Sequence, residues 1–209
     1  MIAILDYDAG NIKSVEKALA YLGQEAHITR DKDEILASER VILPGVGNFG
    51  DAMSKIKEYK LEPVIYDVID NKIPFLGICL GLQLLYESSE ESPGVSGLGL
   101  LKGSIKKIPD VPGLKIPHMG WNSLEIKEGA KLFKGLDANP YVYFVHSYYL
   151  HALHEEEVAA TTQYATTIHA SVEKDNIFAC QFHPEKSSQV GLTILKNFID
   201  LPSPLKEAK

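Results

Sequence analysis

Apolar residues in the first half of the chain follow two rhythms. Short runs with little interruption, Ile2–Leu5, Arg40–Pro44 and Pro74–Ile78, alternate with stretches in which apolar residues recur every three or four positions. Ile12, Val15, Leu19 and Leu22 share one face of a helix predicted over Asn11–Leu22, just before Gly23. Gln24 to Thr29 reads as a further strand. Helical patterns follow the loop Gly45-Val-Gly-Asn-Phe-Gly50 as far as about Asp70, and another helix is predicted from Cys79 to Glu87. Strands that alternate with helices in this way predict a parallel, doubly wound sheet.

The rhythm changes after Glu87. Ser, Glu, Gly and Pro dominate Ser88 to Gly103, which reads as a long surface connection. Beyond it lie five β-branched or aromatic segments, Asn122–Ile126, Tyr141–Tyr148, Glu157–Tyr164, Ile168–Glu173 and Ile177–Phe182, joined by short turns. They predict an antiparallel extension of the sheet. Val190 to Ile199 closes the pattern as an amphipathic helix ahead of Pro202 and Pro204. The expected architecture is a single α/β domain over 1–201, a mostly parallel central sheet flanked by helices with an antiparallel, strand-rich C-terminal extension, followed by a tail over 202–209.

Composition narrows the function classes. A chain of 209 residues has room for one substantial domain and not for a second full catalytic domain. With 45% hydrophobic and 23% charged residues, disorder and fibrous structure are excluded. Lys+Arg 21 against Asp+Glu 28 leaves a net charge of −7, which repels a phosphate backbone, so nucleic acid is not expected as a partner. No segment approaches the ~20 apolar residues that cross a bilayer, and MIAILDYDAG lacks the basic start of a secretory signal. A cytoplasmic, reducing setting is expected, where Cys79 and Cys180 are either inert core or chemistry.

Three strings are candidates for chemistry. Gly77-Ile-Cys79-Leu-Gly81 lies between a predicted strand and a predicted helix, the context of a nucleophile elbow in which a sharp turn projects the central side chain. The positive end of the helix dipole favours negative charge there, and the backbone N–H of Leu80 is placed for an oxyanion. The same string also describes a buried cysteine in a Gly-rich turn. Gln181-Phe-His183-Pro-Glu185 ends a predicted strand and offers an imidazole base with a carboxylate to orient it, or an incidental surface turn. The loop Gly45–Gly50 lacks the lysine of a phosphate-binding loop, and its backbone N–H groups near Val46 and Gly47 suit the rest of an oxyanion hole. No His/Cys cluster has zinc spacing, so no metal is expected.

Cys79 in GICLGLQLL, with His183 and Glu185 in QFHPEKS, resembles the class I, triad-type glutamine amidotransferases. DYDAGNIKSV at 6–15, PGVGNFGDAM at 44–53 and PHMGWN at 117–122 are similar to the glutaminase subunits of imidazole glycerol phosphate synthases. Asp8, where these usually have Gly, and Ala179-Cys180, where Gly-Val or Gly-Thr is typical, are departures outside the triad positions. The resemblance implies hydrolysis of L-glutamine to glutamate and ammonia, with Cys79 as nucleophile, His183 as base and Glu185 as its orienting acid. It further implies an oxyanion hole at Leu80, Val46 and Gly47, glutamine held by Gly47, Gln83, Glu91, Ser147 and Tyr148, and no cofactor. Gln83 and Glu91 also read as an ordinary helix amide and a solvated charge. The implied partner is a cyclase subunit, a barrel that consumes the ammonia in histidine biosynthesis, in a 1:1 heterodimer. Its docking face is expected around the triad, at His118-Met-Gly-Trp121-Asn122, Tyr143 and Lys186, because the single Trp lies in a polar setting; Trp121 also reads as a core residue and Lys186 as a solvated charge. The glycines around Val46 allow a peptide flip, so the oxyanion hole is expected to be incomplete until the partner is loaded. Another class I glutaminase, a non-catalytic module on the same fold and a free-standing cysteine hydrolase are the competing readings.

Overall fold

A computed structural model describes residues 1–207, and the remaining residues of the expected tail, 208–209, lie outside the described residues. In chain order the elements are β1 (Ile2–Leu5), α1 (Ile12–Tyr21), β2 (Ala26–Thr29), α2 (Lys32–Leu36), β3 (Arg40–Leu43), α3 (Phe49–Glu58), α4 (Leu61–Asp70), β4 (Phe75–Ile78) and α5 (Leu80–Leu84). Then come β5 (Ser88–Ser89), β6 (Gly103–Lys107), β7 (His118–Ser123), β8 (Glu125–Ile126), β9 (Tyr141–His146), β10 (Tyr148–Ala152), β11 (Val158–Tyr164), β12 (Thr166–Lys174), β13 (Ile177–Cys180), α6 (Ser188–Ile199) and α7 (Pro204–Glu207). None of the described helices is long and apolar enough to cross a membrane.

Eight strands form the central sheet in the order β2-β1-β3-β4-β13-β12-β11-β8. The pairings from β2 to β13 are parallel, and those from β13 to β8 are antiparallel. All four residues are buried in each of β1, β3, β4 and β13, because helices cover both faces. Alternation then divides the side chains: Ile2, Ile4, Ile42 and Leu76 pack with Ile12, Val15 and Leu19 of α1 and Ile194, Leu195 and Phe198 of α6. Ala3, Leu5, Val41, Leu43 and Phe75 face the opposite layer, with Met53 and Ile56 of α3 and Val64, Ile65 and Val68 of α4. Each of the larger aliphatic side chains so enclosed contributes ~1.5–3 kcal/mol.

Two smaller sheets differ from the expected extension. The stretch 141–148 is not one strand: it breaks at Ser147, with β9 pairing β7 in a two-stranded sheet and β10 pairing β6 in a three-stranded one. The helix expected over 79–87 ends at Leu84. Within the connection after it, Ser89, Leu98 and Leu101 are buried, so this segment packs on the core as well as crossing the surface. Arg40 on β3 is wholly buried, and its guanidinium donates to the carbonyls of Phe198 and Leu201, which fastens the end of α6 to the sheet.

Candidate active site

β1, β3, β4 and β13 are successive neighbours, so the loops leaving their carboxyl ends meet in one place. Those loops carry residues 6–11, 44–48, Cys79 and Gln181–Glu185. Residues scattered over the sequence are thus brought together by strand order alone.

Cys79 sits directly after β4 with φ 54 and ψ −107, a backbone conformation that a non-glycine residue occupies only under constraint. The constraint is packing. A Cβ on Gly77 would lie 2.8 Å from the Gly81 carbonyl oxygen, and one on Gly81 would lie 1.9 Å from that of Leu43. The Cys79 N–H donates to the Cys180 carbonyl at 2.8 Å, which holds the elbow from below. Because α5 has only five residues, its dipole contributes less at Cys79 than the longer expected helix would.

His183 and Glu185 are the imidazole–carboxylate pair that the sequence suggests. His183 Nδ1 donates to Glu185 Oε1 at 2.8 Å, and both side chains are buried. A carboxylate only accepts, which leaves the His183 Nε2 toward Cys79; it has no other hydrogen-bond partner. Burial alone would lower the His183 pKa, but the neighbouring Cys79 and Glu185 outweigh it and push the value up to about 9. The site therefore favours an imidazolium beside sulfur. Cys180, buried completely, has its thiol pushed well up by desolvation and offers only its backbone to the site.

A pocket of about 320 Å³ opens against Cys79. It is lined by Val46, Gly47, Leu80, Gln83, Glu91, Ser147 and Tyr148, by Pro117 of the string PHMGWN, and by Val145 and His146, for which the sequence carries no signal. A larger cavity of about 1010 Å³ lies elsewhere, between the 126–138 segment and the end of α6, and holds none of these residues. Gly47 has φ +111, in the region that favours glycine. The Leu80 N–H, the expected oxyanion donor, donates to the Gly45 carbonyl at 3.3 Å and is thus engaged within the chain. Glu91 accepts from the Phe49 N–H at 2.8 Å and steadies the start of α3. The Ser147 carbonyl accepts from Ile108, and that of Tyr148 accepts from both Gln83 Nε2 and His146 Nδ1.

Three further residues hold the site. Asn11 Nδ2 donates to Glu185 Oε1 at 2.6 Å. The Tyr7 hydroxyl donates to the Pro44 carbonyl at 2.7 Å, at the root of the 44–48 loop. Gln181 Nε2 donates to Cys79 Sγ at 3.7 Å. Asn11 and Gln181 lie in the strings DYDAGN and QFHPE, but no spacing signal separates them from their neighbours. Asp8 takes φ 63 and is held by Arg30 at 3.0 Å and by the Tyr59 hydroxyl, so the departure from glycine is accommodated on the surface.

The expected docking residues sit beside the triad. Trp121 is 53% exposed and meets Tyr143 edge-on at 6.1 Å, and Lys186 is exposed next to Glu185. The Tyr143 carbonyl accepts the His183 N–H at 2.9 Å, which ties this strand pair to the His183 segment. The Asn122 side chain is spent inside the chain, donating to the Gln163 carbonyl and accepting from Ser123 N–H. Behind it runs a directed chain. Since the Tyr148 carbonyl only accepts, His146 Nδ1 carries a proton, its Nε2 accepts from His118 Nδ1 at 3.0 Å, and His118 Nε2 accepts from Asn122 at 3.4 Å. Both histidines are neutral in this arrangement. Burial lowers His118 to about 4 and His146 to about 3.

The family profile "Glutamine amidotransferase class-I" matches residues 3–201. The imidazole glycerol phosphate synthase subunit HisH of Methanocaldococcus jannaschii is 48% identical over 201 residues, 96% of this chain and 100% of that protein. The subunit of the same name from Bacillus cereus is 52% identical over 198 residues, 95% and 93% of the two chains. The chain belongs to the HisH branch of the class-I glutamine amidotransferases. Among solved structures, a glutamine amidotransferase is similar with a TM-score of 0.74 at 21% identity, covering 95% of this chain and 97% of that one. PurLQS from Thermotoga maritima is similar with a TM-score of 0.73 at 20% identity, covering 95% and 97%. These two likenesses speak for the amidotransferase fold, and the HisH relatives place the chain within it.

Proposed function

We propose that this HisH-type amidotransferase hydrolyses L-glutamine at Cys79 and passes the ammonia to a cyclase subunit of imidazole glycerol phosphate synthase, in the cytoplasm. The observation that carries the reading is the meeting of Cys79, in its constrained conformation, with the buried His183–Glu185 pair at the mouth of a pocket of about 320 Å³. That volume is at the small end of ligand pockets, which suits a free amino acid.

The Cys79 thiolate attacks the side-chain carboxamide carbon, and the oxyanion rests on N–H groups of Leu80 and of the loop at Val46 and Gly47. As the C–N bond breaks, the His183 imidazolium gives its proton to the departing nitrogen, which leaves as ammonia beside a glutamyl thioester. Neutral His183 then takes a proton from water, the hydroxide adds to the thioester carbon, and collapse expels the thiolate with glutamate. Glu185 holds the imidazole throughout. Gln83, Glu91, Ser147 and Tyr148 border the amino-acid end, with the saturated Tyr148 carbonyl serving as scaffold for Gln83. The engaged Leu80 N–H supports gating: reorientation of the Gly45–Gly47 backbone frees the donor, and the loaded partner supplies the drive.

Free ammonia in water near neutral pH becomes ammonium, which is not a nucleophile, so its transfer needs a dry passage into the acceptor. The cyclase docks on the exposed β7–β9 pair and Lys186, around the triad, as one cyclase per glutaminase. Glutamate release is to be measured for this chain alone, with the cyclase, and with cyclase plus its nucleotide ligand. Strong stimulation in the last mixture, abolished by Cys79→Ser, is the expected result; equal rates in all three would overturn the gating, and activity in Cys79→Ser would overturn the nucleophile.

A further inference from the structure

We propose that Gln181 is a positioning residue for the nucleophile: its side-chain amide, oriented by Gln83 from the wall of the glutamine pocket, donates to the Cys79 sulfur and favours the thiolate. This inference rests on Cys79 being the nucleophile. Gln181 directly follows β13, between Cys180, whose carbonyl takes the Cys79 N–H, and Phe182. It is completely buried. A buried amide costs free energy unless its polar atoms are paired, and an aliphatic side chain could fill the same space without that cost.

The direction of the chain follows from one acceptor. The Tyr148 carbonyl cannot donate, so the atom of Gln83 that faces it at 3.1 Å is Nε2. The same Nε2 donates to Gln181 Oε1 at 3.0 Å. That fixes the Gln181 amide with Nε2 toward Cys79 Sγ at 3.7 Å. Turning Gln181 over would set its oxygen against sulfur and its NH₂ against that of Gln83. The orientation is therefore locked by a backbone carbonyl outside the triad.

A thiol is a weak acceptor and a thiolate a strong one, so a fixed donor favours the charged form. His183 gives up its proton to the departing nitrogen in the first half of the reaction, whereas the Gln181 donor stays in place. It is present again when the thiolate is expelled from the thioester. Gln83 has both N–H groups spent and offers the pocket only its Oε1, an acceptor suited to the ammonium of an amino acid. A cation there polarises the Gln83 amide and strengthens both donations along the chain.

The test is the pH dependence of Cys79 alkylation by iodoacetamide in the full-length protein, with the adduct assigned by peptide mass spectrometry. In Gln181→Met the midpoint is expected to rise by about one pH unit, a tenfold effect. Gln181→Glu is expected to raise it further, and Gln83→Met to raise it less. With cyclase and its nucleotide ligand present, Gln181→Met should lower kcat for glutamine hydrolysis about tenfold and leave KM unchanged. Unchanged midpoints in variants that melt like the parent would overturn the proposal. Should the Gln181 variants fail to fold, Gln83→Met decides, and an unshifted midpoint there overturns it equally. Failure of the nucleophile reading is separate, since it shows as glutamine hydrolysis surviving in Cys79→Ser.

Discussion

A methyl group on Gly81 would lie 1.9 Å from the Leu43 carbonyl oxygen, and neither partner is a flexible side chain. Gly81→Ala is thus expected to destabilise the protein by ~3 kcal/mol and to slow glutamine hydrolysis, because β3 and α5 must part to admit it. Urea unfolding checks this; a change within about 0.5 kcal/mol would mean that the elbow yields more easily than its contacts imply. Asn11 acts at the other end of the triad. Asn11→Ala removes the donor at 2.6 Å from Glu185 Oε1, and kcat should fall about tenfold with little change in KM, the usual scale of one hydrogen bond to a charged group. The elbow at Cys79 and the pairing of His183 with Glu185 were legible in the sequence because each lies in a short string with its own chemistry. Asn11 and Gln181 were not. Their partners lie 174 and 102 residues away, and separation along the chain says nothing of contact.

At the scale of elements, the parallel half of the sheet was legible because strands buried on both faces read as continuous apolar runs. α2 was not, since only Ile35 of its five residues is buried and no period shows. β6 leaves no pattern for a similar reason, with Ile105 its only buried residue. The break at Ser147 is invisible in the sequence because β9 and β10 are both rich in aromatic and aliphatic residues and differ only in which strand each one pairs. The β7–β9 pair leaves Met119, Trp121 and Tyr141 more than half exposed. Trp121→Ala should weaken association with the cyclase by ~2 kcal/mol or more in titration calorimetry while the melting temperature stays near that of the parent. Unaltered affinity would take β7 out of the docking face.

For the whole molecule, histidines set opposing pH limits. His118 and His146 titrate at about 4 and about 3 in the fold against 6.5 in the unfolded chain. Below pH 6.5 the unfolded chain therefore binds protons that the native protein refuses, and stability falls with pH by up to ~1.4 kcal/mol per unit for each. His183, raised to about 9, has the opposite sign: its contribution is complete below 6.5 and is lost as pH rises through 9. Urea unfolding should show greater stability near pH 6.5 than at pH 4.5 or 9.5, with a shallower acid side in His146→Gln. An equally steep acid side in that variant would take His146 out of the loss. The strand order has one more consequence, and it concerns synthesis. β4 lies between β3 and β13, yet β13 follows it by about 100 residues. On a ribosome adding roughly 5–20 residues per second, the wholly apolar edge of β4 waits about 5–20 s for its neighbour. The nascent chain thus carries an open, sticky strand through the middle of its own translation, and that interval is when a chaperone has most to protect.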